Sequence, residues 1–233
     1  HGRWAQCRST DGYLGWLHRG YLCRMDETGA RGWEIGTEAP LHFSLGAEVL
    51  DRSGGVLVRL PWGSRVGLRE GFAVLPEGDG GELRGEVVAL ARLAERFPPT
   101  GESIEATARE WLGTPYLWGG ITPAGADCSG LVQTLFRAHG IELPRDSDLQ
   151  AQAGVAVDPG EDFRDLRAGD LLFFAEEGDR ISHVAISRGG SKIIHSALGN
   201  GGVRVNVLTG RRGIERELRS LFVAARRVIG PER

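Results

Sequence analysis

Cys128 stands where a glycine-rich stretch gives way to a helix, a position from which a thiol can do chemistry. Tyr116-Leu117-Trp118-Gly119-Gly120 leads on to Asp127-Cys128-Ser129-Gly130-Leu131-Val132. Leu131, Val132, Leu135 and Phe136 recur at helical spacing, and Gly140 closes the pattern as a C-terminal signal. Asp127 is the expected N-cap, which puts Cys128 in the first turn. Free backbone N–H groups and the helix dipole favour an anion there, so the sulfur is expected to be a thiolate nucleophile. The competing reading makes Cys128 one more small buried apolar side chain.

A cysteine nucleophile needs a base within hydrogen-bond reach, and the base needs an orienting partner. His183 and His195 are the candidates, on β-prone runs joined through Arg188-Gly189-Gly190-Ser191. A loop of Arg188, Gly189 and Gly190 would pair Ser187 with Ser191 and set His183 opposite His195. A two-residue Gly-Gly loop would put the rings on opposite faces, because one step of register flips every side chain. A site that uses all three residues therefore demands an odd-length loop. The plainer alternative is two unrelated, half-exposed strand histidines.

The elements that would hold these residues follow from periodicity. Ser103 is the expected cap of a helix carrying Ile104, Ala108, Trp111 and Leu112, ended by Gly113 and Pro115. The cysteine helix comes next. After Pro144 the pattern changes to strands at 170–175, 181–188, 192–197, 203–208 and 222–228. Helices first and an antiparallel meander afterwards predict an α+β domain over residues 102–230. Ahead of it, residues 1–82 read as short strands broken by turns such as Asp11-Gly12 and Gly54-Gly55, with no helix between them. That predicts one or two small all-β barrels. Residues 82–96 carry Val87, Leu90, Ala91 and Ala94 at helical spacing, so residues 83–101 are expected to be a helical linker broken at Phe97-Pro98-Pro99-Thr100-Gly101.

Composition bounds the function. The 233 residues are 41% hydrophobic and 25% charged, ordinary for a folded chain with a sizeable core. A formal net charge of −3 leaves no basic footprint, which argues against nucleic acid as a partner. No apolar run reaches membrane-spanning length. The first residue is His1 rather than Met, as in a processed or trimmed product, a removed signal peptide being one such case. The cell envelope or exterior is the expected compartment, with a cytoplasmic recycling role as the alternative. Of Cys7, Cys23 and Cys128 at least one is unpaired, and Cys7 with Cys23 are as compatible with a bridge as with two free thiols. Trp4, Trp16, Trp33 and Trp62 are expected mostly in cores. Arg211-Arg212 and Arg226-Arg227 are expected to be solvated or to face carboxylates.

Two resemblances sharpen this. Asp11-Gly12-Tyr13-Leu14-Gly15-Trp16-Leu17-His18 resembles a signature found near the C-terminal end of bacterial SH3-like domains. Residues 1–25 would then be part of a first module and 30–82 a second, more divergent one. More specifically, residues 102–230 resemble the NlpC/p60 family of papain-like cysteine peptidases. The resemblance rests on Tyr116, Trp118-Gly119-Gly120, residues 127–132, Leu143-Pro144-Arg145, Ala168-Gly169-Asp170-Leu171, His183-Val184-Ala185-Ile186 and Ile194-His195-Ser196-Ala197.

That resemblance implies hydrolysis of peptidoglycan stem peptides at the bond between γ-D-glutamate and a diamino acid, without cofactor, metal or obligatory protein partner. It implies Cys128 as nucleophile, His183 as base and His195 as the orienting residue. The Cys128 N–H and the Tyr116 hydroxyl become the oxyanion donors. Tyr116, Trp118, Asp127, Ser129 and Ser147 fall at substrate-lining positions, and Asp127 would offer its charge to the free L-alanine ammonium of a dipeptidyl-type substrate. The rivals are an endopeptidase on intact wall with SH3-like anchors, a silent wall-binding module, a thiol acyltransferase, and a metal hydrolase ligated by Cys128, His183 and His195.

Overall fold

In a computed structural model, residues 2–36, 39–75, 80–178 and 180–230 are described. His1 and residues 37–38 and 76–79 of the expected second β module lie outside them. The chain divides into two compact units, residues 1–96 and 97–233.

In the first unit β1 (Trp4–Arg8) and β2 (Leu14–His18) form an antiparallel hairpin that sets Trp4 opposite His18. Trp4 and Trp16 are 51% and 54% exposed and Trp33 and Trp62 are half-buried, so none of these four tryptophans is enclosed in a core. Cys7 and Cys23 are free thiols. Next comes α1 (Glu27–Ile35), where no helix was expected. Asp26 caps it by accepting the Gly29 N–H, and Gly36, at φ 74°, ends it in the left-handed region. Gly29 and Gly32 weaken its propensity and it buries no residue, so its sequence carries no apolar stripe to read.

The strands β3 (Leu41–Leu50), β4 (Val56–Leu60), β5 (Arg65–Arg69), β6 (Phe72–Val74) and β7 (Gly81–Ala89) make one antiparallel sheet in the order β4-β3-β5-β6-β7. β7 also pairs with β3, from His42 opposite Ala89 to Leu50 opposite Glu82, which closes the sheet on itself. Ala47, Val49, Leu60 and Val66 fill its interior. The helix expected over 82–96 is therefore mostly strand. Only α2 (Leu93–Arg96) and a turn before it are helical. Leu83 and Val87 pack against this core, and nine residues of pairing outweigh the helical spacing of Leu90, Ala91 and Ala94.

The second unit opens with α3 (Gly101–Glu110), capped by Thr100 rather than Ser103: the Thr100 hydroxyl accepts the Ser103 N–H at 3.2 Å. A small ribbon of β8 (Ile121–Thr122) and β9 (Gly125–Ala126) precedes α4 (Cys128–Ala138) and the one-turn α5 (Ser147–Gln150). Then follow β10 (Val155–Val157), β11 (Ala168–Glu177), β12 (Arg180–Arg188), β13 (Lys192–Ala197), β14 (Gly202–Val207), α6 (Gly213–Leu221) and β15 (Phe222–Arg227). Six of these strands form an antiparallel sheet ordered β10-β15-β11-β12-β13-β14. The unit is mixed α and β, with α3, α4 and α5 ahead of the six-stranded sheet and an unexpected α6 between β14 and β15.

Leu171, Leu172, Phe173 and Phe174 are all fully buried, so β11 is covered on both faces and reads as a continuous apolar run. Leu218 of α6 shares a core with Leu172, Phe174, Ala185 and Ile193, while α3 packs on β11 and α4 on β12 and β13. The arginine pairs face acceptors of this unit: Arg227 grips the buried Asp170 carboxylate, and Arg212 holds Glu215. No helix among the described residues is long and apolar enough to cross a membrane.

Candidate active site

Asp127 does locally what its type dictates. It caps α4 by accepting the Gly130 N–H at 2.7 Å, and its other oxygen accepts the Gly119 N–H at 2.7 Å. One carboxylate thus ties the glycine-rich loop to the start of the helix. A Cβ on Gly130 would collide with the Gly120 carbonyl, which is why loop and helix approach through glycines. Arg145 adds two further donors to Asp127, at 3.1 and 2.5 Å, and a third to the Ser129 hydroxyl at 2.8 Å.

Asp127 is thus a capping and loop-fastening residue whose charge is paired with that of Arg145. Ser129 and Ser147 are buried beside it, at the starts of α4 and α5. Gln150 Nε2 bridges Ser129 O and Pro144 O, at 3.0 and 2.8 Å, and holds the two short segments together. Trp118 is 86% exposed, an apolar surface next to the loop with nothing covering it.

Cys128 is the first residue of α4 and is nearly buried. Burial pushes its thiol up; the Val184 N–H pulls it back, and the Asp127 charge pushes it further up. Desolvation therefore outweighs the helix terminus, contrary to the thiolate expected from position alone. The β12–β13 ladder ends at Ile186 opposite Ile194. Val184 lies beyond that last pair, and its N–H is offered to the sulfur. His183 is the residue immediately before Val184.

His183 and His195 meet on one face. Ser187 pairs with Ile193, leaving the five residues 188–192 between them. The loop is odd in length, though longer than the three-residue turn considered from sequence, so the rings lie diagonally rather than directly opposite. His183 Nε2 sits 2.7 Å from His195 Nδ1. Burial and then the neighbouring His195 ring push His183 down to about 3. Burial also lowers His195, which is fully enclosed, against the pull of its hydrogen bond to Asn206. With their nitrogens facing each other, the two rings do not converge on an ion as the metal reading requires.

Tyr116 lies where charge on Cys128 reaches it: burial, then the Cys128 and Asp127 charges, push its phenol up. Asn206 and Asn200 were not anticipated. His195 Nε2 is 2.9 Å from Asn206 Oδ1 and 3.0 Å from Asn200 Nδ2, and Asn200 Nδ2 donates to Asn206 Oδ1 at 2.8 Å. Sequence offered a signal in retrospect: Asn206 is a polar residue on a strand of otherwise alternating valines, Val203, Val205 and Val207.

A thiol at a helix start and a pair of imidazoles on an antiparallel sheet, in a mixed α and β unit, place the chain in the cysteine peptidase class. Within it the chain belongs to the NlpC/P60 family, whose pattern it matches over residues 113–220. A gamma-D-glutamyl-L-lysine dipeptidyl-peptidase of Bacillus subtilis is 46% identical over 112 residues, 47% of this chain and 36% of that protein. A probable endopeptidase of Haemophilus influenzae is 34% identical over 123 residues, 52% of this chain and 67% of that protein. The crystal structure of an NlpC/P60 family protein from Bacillus cereus superposes with a TM-score of 0.75 at 25% identity, covering 99% of this chain and 77% of that one. The chain spans little more than a third of the length of the two dipeptidyl-peptidases it matches, 36% and 37%.

Proposed function

We propose that this chain is a cysteine peptidase that cleaves peptidoglycan stem peptides between γ-D-glutamate and the following diamino acid. The observation that carries the reading is the 2.7 Å contact between His183 Nε2 and His195 Nδ1, with the residue after His183 touching the Cys128 sulfur. Because Nε2 of His183 is taken by His195, Nδ1 is the nitrogen left for the thiol proton.

The resting pair is neutral, since burial raises the thiol and lowers the imidazole. Proton transfer therefore accompanies attack. Cys128 Sγ bonds to the carbonyl carbon as His183 takes the thiol proton, and the carbonyl π electrons move to oxygen. The Cys128 N–H and the Tyr116 hydroxyl stabilise that oxyanion. As it collapses, the C–N bond breaks and His183 returns the proton to the leaving amine, giving a thioester. Water then attacks the thioester with His183 as base, releasing the carboxylic acid and the free thiol. Tyr116, Trp118, Asp127, Ser129 and Ser147 are the proposed lining of the substrate site.

The bond and the dipeptidyl preference are supported by the names of the Bacillus subtilis and Bacillus cereus relatives, gamma-D-glutamyl-L-lysine dipeptidyl-peptidases. On that reading the preferred substrate begins with a free L-alanine, the product is L-alanyl-γ-D-glutamate, and the role is wall turnover or peptide recycling at the envelope or outside the cell. The hairpin and closed sheet of residues 1–96 are proposed as divergent SH3-like modules. Mass spectrometry of products from a free stem peptide, its N-acetylated form and intact peptidoglycan tests the assignment. Release of the dipeptide from the free peptide, and a rate lower by orders of magnitude on the acetylated one, is expected. Equal rates on both would make the enzyme an endopeptidase of intact wall.

A further inference from the structure

His195 is fully buried and Asn206 beside it is 2% exposed, so the outer nitrogen of the orienting imidazole depends on protein partners. Among the described residues those partners are Asn206 Oδ1 at 2.9 Å and Asn200 Nδ2 at 3.0 Å. These two neighbours ask opposite things of the ring. An oxygen requires a proton on Nε2, whereas an amide nitrogen is satisfied by a bare one.

The chemistry decides between them. When His183 holds the thiol proton it carries hydrogens on both nitrogens, and its Nε2–H must find a lone pair on His195 Nδ1, 2.7 Å away. A neutral His195 with Nδ1 bare has its proton on Nε2. That buried proton then needs an acceptor, and Asn206 Oδ1 is in place to be it. The opposite tautomer would set two N–H groups against each other between the rings, and two lone pairs against each other between Nε2 and Asn206. Asn200 acts on the orientation of the amide. By donating to Asn206 Oδ1 at 2.8 Å it keeps the oxygen, rather than the amide nitrogen, turned toward this cluster.

We propose that Asn206 is a positioning residue for the reaction, acting as the acceptor that fixes His195 in its Nε2–H tautomer and so polarises the run from Asn206 through His195 and His183 to Cys128. Asn200 holds the Asn206 amide in the required orientation. Its consequence for turnover rests on the peptidase reading above; the tautomer itself does not.

Two measurements on the full chain test it separately. The first labels histidine with 15N in the Cys128→Ala protein and reads tautomers from long-range 1H–15N correlations at neutral pH. His195 is expected to show a protonated Nε2 and a bare Nδ1. A protonated Nδ1 overturns the proposal, whatever the enzyme proves to hydrolyse. The second compares kcat and KM. Asn206→Leu, which keeps the volume and removes the acceptor, is expected to lower kcat by about 10–100-fold with KM nearly unchanged, the range met when a supporting hydrogen bond to a functional histidine is lost. Asn206→Asp retains an acceptor and is expected to recover most of that loss. An unchanged kcat in Asn206→Leu overturns the proposal. If Asn206→Leu does not fold, the tautomer measured in the Cys128→Ala protein still decides. Activity surviving in Cys128→Ala would end the peptidase reading and leave the tautomer result standing.

Discussion

A thiol raised by burial and an imidazole lowered to about 3 are both neutral across the ordinary pH range, and this shapes what the site residues are expected to show. The base works only unprotonated, so the acid limb of kcat/KM should fall well below the usual histidine value of about 6.5. The nucleophile starts as a thiol of raised pKa, so the alkaline limb should lie above the ordinary cysteine value of about 8.5. A pH–rate profile, taken where circular dichroism shows the fold intact, is expected to be a broad plateau; a limb near neutrality would contradict the buried geometry. Cys128→Ala should lower turnover by more than about 10³-fold with the unfolding midpoint little changed, because one sulfur does the chemistry and its side chain is small. His183→Ala should be nearly as damaging. His195→Asn should be milder, since a carboxamide oxygen can still accept from His183 Nε2–H, and steady-state kinetics on a defined peptide rank the three.

Elements that bury a periodic face could be read from sequence, and those that do not could not. The runs 181–188 and 192–197 were legible because Val184, Ile186, Ile193 and Ile194 are fully buried and leave an apolar pattern. Asp127 was legible as the cap of α4 because its type and place before an apolar run leave little choice. By contrast α1 buries nothing, β10 is three residues long, and β7 carries helical and strand spacings at once until β3 is there to pair with it. Asn206 showed only as a polar residue among strand valines, and its partner could not be read because it lies on a diagonal across two strands and a sequence shows no register. One ion pair within the sheet makes an element-scale prediction. Asp170 is 1% exposed and held by Arg227 through two bonds of 2.7 Å each, joining the start of β11 to the end of β15. Arg227→Met leaves that buried carboxylate without its counter-charge, with the Arg167 N–H at 2.8 Å still donating to it, and losing one partner of a buried pair typically costs about 3–5 kcal/mol. Asp170→Asn combined with Arg227→Met should recover part of it, and urea midpoints of the single and double variants measure the difference.

At the scale of the whole molecule, the two units have cores of different weight. In residues 97–233 the buried set spans both faces of a six-stranded sheet, with Phe136, Phe173, Phe174, Ile186 and Ile194 among its fully enclosed side chains. In residues 1–96 the enclosed cluster is Ala47, Val49, Leu60, Val66 and Ala73, while α1 buries no residue and the β1–β2 hairpin is half-exposed along its length. Stability follows apolar area removed from water, at about 25 cal/mol per Å², against an ordering cost that grows with every residue. The second unit therefore has the larger surplus per residue. A fragment of residues 97–233 is expected to fold alone and unfold in one cooperative urea transition. A fragment of residues 1–96 should melt at lower urea or lack a cooperative transition, because its core is small for the chain it must order. For the full chain carrying Trp111→Phe and Trp118→Phe, tryptophan fluorescence should report Trp4, Trp16, Trp33 and Trp62 of the first unit losing structure before the Cys128 thiol becomes reactive to an alkylating agent. Coincident loss of both signals in the full chain, with neither fragment folding alone, would show that the two cores are one cooperative unit.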